Sequence, residues 1–181
     1  LAAVICVSDP LRPEAVPALR RLRELGIGRC VMLTGDSRRT AEAIAAEVGV
    51  DDFCAEVLPE DKAAYVQKLK AAGHTVIMVG DGINDSPALS AADAGVAISS
   101  GAAIAREIAD ITISEGDISE LVALRRIALA LMARIRSNYR FVIGFNSALI
   151  ALGLTGILPP ATGAMLHNAS TVAISLKSMT R

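Results

Sequence analysis

The stretch from Thr75 to Ile98, TVIMVGDGINDSPALSAADAGVAI, constrains this chain more than any other. It opens with a β-branched apolar run, Thr75 to Val79, of the kind that forms a buried strand. The chain then turns sharply through Gly80-Asp81-Gly82. Asn84, Asp85 and Ser86 follow, and each can cap the Ala-rich helix that comes next. Asp81, Asn84 and Asp85 therefore crowd the carboxyl end of a strand beside a helix start, where open α/β sheets bind ligands. Carboxylates this close repel one another unless a cation sits among them. Oxygen-only ligands on a tight loop suit Mg²⁺ shared with a phosphate. The plainer reading is a capped turn without a ligand, but a cap needs one acidic residue and neither glycine.

Strands and helices alternate around this stretch. Leu1–Val7 reads as a buried strand, and a helix over about Glu14–Leu25 puts Val16, Leu19, Leu22 and Leu25 on one face. A strand over Arg29–Leu33 ends in Thr34-Gly35-Asp36. Asp36 or Ser37 caps a helix that Gly49 closes. Phe53–Val57 is a short strand, and Pro59-Glu60-Asp61-Lys62 opens a helix that ends near Gly73. After the central motif come a strand at Gly95–Ile98, a short helix over Gly101–Asp110 and a last strand at Ile111–Ile113. Such alternation predicts an α/β domain with a doubly wound parallel sheet. Thr34 offers a hydroxyl and Gly35 a bare amide at a strand end, and together they can cradle a phosphoryl oxygen. Lys62 in a first helical turn opposes the helix dipole, and by itself would read as a surface lysine.

Aromatic residues make up 3 % of the 181 residues, so the core is built from Ala, Val, Ile and Leu. The net charge of −1 argues against nucleic acid as a partner. Cys6, Cys30 and Cys54 lack CxxC spacing and read as reduced cytosolic thiols rather than a three-cysteine metal site. The chain starts at Leu1 without Met, inside an apolar strand, and reads as a piece of a larger protein.

GDGIND followed by SPALSAADAGVAI, with TGD and then PEDK before it, resembles successive motifs of the haloacid-dehalogenase-like superfamily as found in heavy-metal (type IB) P-type ATPases. The resemblance implies a haloacid-dehalogenase-like phosphorylation domain that uses ATP and Mg²⁺. It implies that Thr34 and Gly35 hold the phosphoryl group and Lys62 neutralises it. It places Asp81 on Mg²⁺, Asn84 on phosphate, and Asp85 behind Lys62 and the metal shell. Asp36 and Asp9 match carboxylates near the nucleotide and the domain hinge, with Arg12 and Pro13 in the same DPLRPEA stretch. The family's DKTGT motif, whose Asp is phosphorylated, does not occur in these residues. The resemblance puts that Asp, the nucleotide-binding domain and earlier membrane helices before Leu1.

From Ile118 onward Leu121, Leu124, Ile127, Leu131 and Ile135 recur at helical spacing. Phe141–Leu158 and Ala161–Leu176 carry no charge over 18 and 16 residues, separated by Pro159-Pro160. Arg134, Arg136 and Arg140 flank one end, and Lys177 and Arg181 the other. Length and flanking charge predict a two-helix transmembrane hairpin with both ends in the cytosol. A core hairpin of a water-soluble domain is the alternative. The expected domains are a phosphorylation domain over 1–116, a stalk helix over 117–140 and two membrane helices over 141–181. Polar residues within such runs are costly in lipid. His167, Ser170 and Thr171 share a helix face, and Asn146 lies in the partner run; imidazole with oxygen partners suits a divalent transition metal. The resemblance adds that His167, Ser170 and Thr171 fall where copper pumps carry MxxSS, with His for Met. HNAST is similar to the HEG-type motif of cobalt pumps.

The resemblance implies part of an ATP-driven heavy-metal exporter, multi-pass in a bacterial plasma membrane with its phosphorylation domain in the cytosol. Its partners would be a metal cation, the lipid membrane and the preceding part of the same polypeptide. The rivals are a haloacid-dehalogenase-like phosphatase, soluble or membrane-anchored, and a non-catalytic membrane-anchored interaction module.

Overall fold

The computed structural model describes residues 11–80, 83–98, 108–113 and 117–179. The strand expected over Leu1–Val7, with Cys6 and Asp9, lies outside these residues. So do Asp81, Gly82 and nearly all of the helix expected over Gly101–Asp110. The chain forms two compact units, Leu1–Arg125 and Arg126–Arg181.

The first unit alternates as its sequence pattern predicts: α1 (Ala15–Glu24), β1 (Val31–Leu33), α2 (Arg38–Val48), β2 (Asp52–Cys54), α3 (Pro59–Ala71) and β3 (Ile77–Gly80). A single 3₁₀ turn, Ile83–Asp85, leads into α4 (Ser86–Ala91), and β4 (Ala94–Ile98) and β5 (Ile111–Ile113) follow. Ser37 caps α2 by accepting from the Thr40 amide, and Gly49 closes it at φ 76°, a left-handed position glycine takes without steric cost. Every strand pair among the described residues is parallel. The strands form two groups, β1–β2 and β3–β4–β5, rather than one continuous sheet.

Register decides which side chains meet which helices. Met78 pairs with Gly95, Val79 with Val96, and Val96 with Ile111. Side chains alternate along a strand, so Met78 and Val96 face opposite ways. Met78 packs against Val66 of α3 and Ala88 and Leu89 of α4. Val96 and Ile113 pack on the other side, against Leu121, with Leu22 of α1 beside them. Helices thus cover both faces of the β3–β4–β5 group, the doubly wound arrangement. A β-carbon at Gly95 would stand 2.7 Å from the Leu89 carbonyl oxygen, so α4 can lie against β4 only because that position has no side chain.

Among the strands, the largest departure from the expected boundaries is in β2. β2 stops at Cys54 instead of Val57, because Glu56 adopts φ 57° and turns the chain. The Glu56 amide donates to the Asp36 carbonyl and the Val57 amide to the Thr34 carbonyl. Amides expected to extend the strand instead hold the loop that follows β1.

Beyond β5, α5 runs unbroken from Ser119 to Leu154, and α6 spans Pro160–Met179. The expected stalk and first apolar run are therefore one helix. Leu121 and Val122 at its start are buried in the first unit. No helix among the described residues is long and apolar enough to cross a membrane. The uncharged part of α5, from Phe141 to Leu154, is about 21 Å long at the helical rise, against about 30 Å of hydrocarbon. The helix stops there because Gly156 turns left-handed at φ 74° and Leu158 closes back on the Leu152 carbonyl. α6 is long enough, but His167, Asn168, Ser170, Thr171 and Ser175 lower its hydropathy.

Candidate functional site

Two groups of polar side chains stand out, one in each unit. In the first unit, the residues singled out from sequence sit on the loop after β1, in the first turn of α3 and on the turn before α4. The loop leaves β1 through Thr34, Gly35 and Asp36. The Thr34 hydroxyl donates to Asp36 Oδ2 at 2.7 Å and accepts from the Asp36 amide at 3.1 Å. The Thr34 amide donates to the Cys54 carbonyl. The same β2–α3 segment that clamps this loop runs straight into α3, where the Asp61 carboxylate accepts from the Leu58 amide. The Thr34 loop and the start of the Lys62 helix are thus joined through one hydrogen-bonded segment.

The second element is Lys62 itself. Its Nζ donates to Asp85 Oδ1 at 2.7 Å, and the two side chains are only 14 % and 11 % exposed. A lysine this enclosed is not a solvated surface residue. Asp85 sits at the end of the 3₁₀ turn, at the N-cap position of α4, but makes no side-chain cap bond. The cap expected of Asp85 is replaced by an ion pair. The expected alternative cap, the Ser86 hydroxyl, is buried with no hydrogen-bond partner among the described residues. Asn84 is exposed, and Asp81 lies outside the described residues. The structure therefore joins Lys62 to Asp85 and Thr34 to Asp36.

Gly80 is a sterically constrained position that motif reading treated only as a turn. A β-carbon there would lie 2.6 Å from Asp85 Cβ and 2.7 Å from its Oδ2. The signal was the first glycine of GDG, whose reason is the close passage of Asp85. Cys30 and Cys54 are free thiols, half-buried, and burial raises the Cys30 pKa despite the nearby Arg23 cation. Among the described residues no three His, Cys, Asp or Glu side chains gather as a metal site.

In the second unit, His167, Ser170, Thr171 and Asn146 do come together. They line a cleft of about 160 Å³ with Val142, Ile174 and Ser175. His167 Nδ1 lies 2.9 Å from Asn146 Oδ1. The Ser170 and Thr171 hydroxyls donate to the His167 carbonyl at 2.7 and 3.1 Å. Ser175, one helical turn beyond Thr171, donates to the Thr171 carbonyl and was not singled out from sequence. Its signal is the same periodicity that aligned the other three.

Comparison with known proteins identifies the family of the first unit. The sequence profile of haloacid dehalogenase-like hydrolases matches residues 1–93. The chain is 44 % identical over 179 residues to a manganese-exporting P-type ATPase of Mycobacterium leprae, covering 98 % of this chain and 25 % of that protein. It is equally similar to a zinc-exporting P-type ATPase of Mycobacterium marinum, with 98 % and 24 % covered. A crystal structure of a zinc-transporting PIB-type ATPase in the E2.Pi state superposes with a TM-score of 0.85 at 38 % identity, over 93 % of this chain and 27 % of that one. The chain thus spans about a quarter of the length of the curated relatives it matches. It belongs to the haloacid dehalogenase-like hydrolase family and is homologous along nearly its whole length to metal-exporting P-type ATPases.

Proposed function

We propose that this chain is the phosphorylation domain and part of the ion path of an ATP-driven exporter of a divalent transition metal. The observation that carries the reading is that similarity to metal-exporting ATPases runs through both units, including α5 and α6, and not only through the hydrolase half. A haloacid-dehalogenase-like phosphatase would account for residues 1–93 but not for likeness across 98 % of the chain.

Phosphoryl transfer asks a protein mainly for positioning and charge neutralisation. Lys62 supplies a positive charge, and Asp85 holds its ammonium group in place at 2.7 Å. The Thr34 hydroxyl, now on Asp36, turns to donate to a phosphoryl oxygen, with the Gly35 amide beside it. Asn84, exposed on the same turn as Asp85, binds phosphate from its own side. The aspartate that takes the phosphoryl group comes from the rest of the polypeptide. The donor set Asp81 and Asp85 is oxygen-only, which fits Mg²⁺; bound there, the ion would offset phosphate charge.

In the second unit His167, with Ser170 and Thr171, meets the exported ion, and Asn146 stands against the His167 ring. A calcium-like ion would want carboxylates, and none lines the cleft. Monovalent copper would want the thioether that His167 replaces. We place Phe141–Leu158 and Ala161–Leu176 in the bilayer. The support is their lack of charge, the basic residues at both flanks, and the exposure of Ile143, Ile150, Leu154, Ile157, Met165 and Val172. Helix tilt and the remaining helices of the full protein would make up the missing length.

The test uses the full-length protein. Asp81→Ala abolishes phosphoenzyme formation from ATP. His167→Ala eliminates metal-stimulated ATPase activity yet leaves phosphorylation by inorganic phosphate intact. Normal phosphoenzyme in Asp81→Ala, or undiminished stimulation in His167→Ala across Mn²⁺, Zn²⁺ and Co²⁺, contradicts the corresponding half of the proposal.

A further inference from the structure

We infer that Asn146 is a positioning residue: it fixes the tautomer of His167 so that Nε2, not Nδ1, meets the exported ion. The inference rests on the reading of the second unit as an ion path. Its starting point is the 2.9 Å contact between His167 Nδ1 and Asn146 Oδ1. A carboxamide oxygen carries no proton, so Nδ1 must be the donor. A neutral imidazole has one N–H, which leaves the lone pair on Nε2. Metal-binding histidines are held in this way, with the second ring nitrogen donating to an oxygen that sets tautomer and ring orientation.

The neighbouring hydroxyls follow the same logic. Ser170 and Thr171 give their protons to the His167 carbonyl, and Ser175 gives its proton to the Thr171 carbonyl. Each hydroxyl spends its proton on its own helix and keeps its lone pairs. The cleft is thereby lined with uncharged electron-pair donors. A side chain of α5 aims the ring of α6, and α6 aims its own hydroxyls. Asn146 acts on the ion through His167.

The experiment uses the full-length protein in bilayers with Mn²⁺ and Zn²⁺ as probes. Asn146→Leu removes the acceptor and raises the metal concentration for half-maximal ATPase stimulation about 10- to 100-fold. Asn146→Asp keeps an acceptor and restores stimulation close to wild type. In metal-free protein labelled with ¹⁵N-histidine, the His167 signal, identified by its loss in His167→Ala, shows the proton on Nδ1. A proton found on Nε2 in the wild-type protein overturns the inference whatever the variants do. So does unchanged half-maximal stimulation in Asn146→Leu, or an Asn146→Asp as weak as Asn146→Leu. If His167→Ala itself keeps full stimulation, the ion-path reading fails instead, which separates the two outcomes.

Discussion

Asp85 passes so close over Gly80 that a β-carbon there would stand 2.6 Å from its own. The contact involves the root of a short side chain, which has no room to swing aside. Gly80→Ala therefore displaces the carboxylate that holds Lys62, although it removes no functional group. Phosphoenzyme formation in the full-length protein should fall at least tenfold. Gly28→Ala, where nothing lies within 4 Å, should leave it unchanged. Equal behaviour of the two variants would refute the steric argument.

Lys62 and Asp85 form an enclosed ion pair. Removing one partner strands the other charge, at a cost of about 3–5 kcal/mol. Lys62→Met and Asp85→Leu should each lower the unfolding midpoint. The double variant should recover much of the stability and none of the phosphorylation. A double variant as unstable as the two single changes combined would show that the pair is not coupled.

The Thr34 hydroxyl donates to Asp36, and under the proposed function it turns from there to a phosphoryl oxygen. A hydrogen bond to a charged group contributes about 1.5–3 kcal/mol. Thr34→Val should cut phosphoenzyme formation about 10- to 100-fold, while Thr34→Ser stays near wild type. Equal activity of Val and Ser at this position would remove the hydroxyl from the mechanism.

Asp93 accepts from the Val76 amide and from Lys70, and these bonds hold its carboxyl below the ordinary carboxylate range. A lowered folded-state pKa stabilises above the unfolded value, and that contribution is lost as pH falls through the folded one. Wild type should be more stable than Asp93→Asn at neutral pH. The difference should shrink as pH drops below about 4. Unfolding midpoints that keep a constant gap down to strongly acid pH would contradict this.

Membrane placement is tested by labelling. In an otherwise cysteine-free background, a cysteine replacing Pro159 should react with an impermeant thiol reagent applied to intact cells. One replacing Arg136 should react only after permeabilisation. Equal labelling at both positions would mean that these runs do not span the bilayer.

Much of the first unit was legible because its signals are local. Apolar β-branched runs, Ser37 before α2, Gly49 after it and Pro59 in the first turn of α3 each act through neighbours a few residues away. The misread boundaries are those where a distant segment competes for backbone groups. β2 ends early because the amides of Glu56 and Val57 bond the Thr34 loop. The extent of α5 was also misjudged. The charge pattern separates Arg140 from Phe141, but backbone hydrogen bonding does not respond to that change, and the helix continues to Leu154.

Spacing along the chain was enough to read the order of the described elements and the helix face shared by His167, Ser170 and Thr171. What those side chains do with one another came from the fold. It turned Asp85 from a helix cap into the partner of Lys62, 23 residues away. It made Gly80 obligatory by bringing Asp85 over it, and it joined His167 to Asn146 across 21 residues. A polar side chain takes whichever partner satisfies it best once water is excluded. Packing, not spacing, sets which partners are within reach.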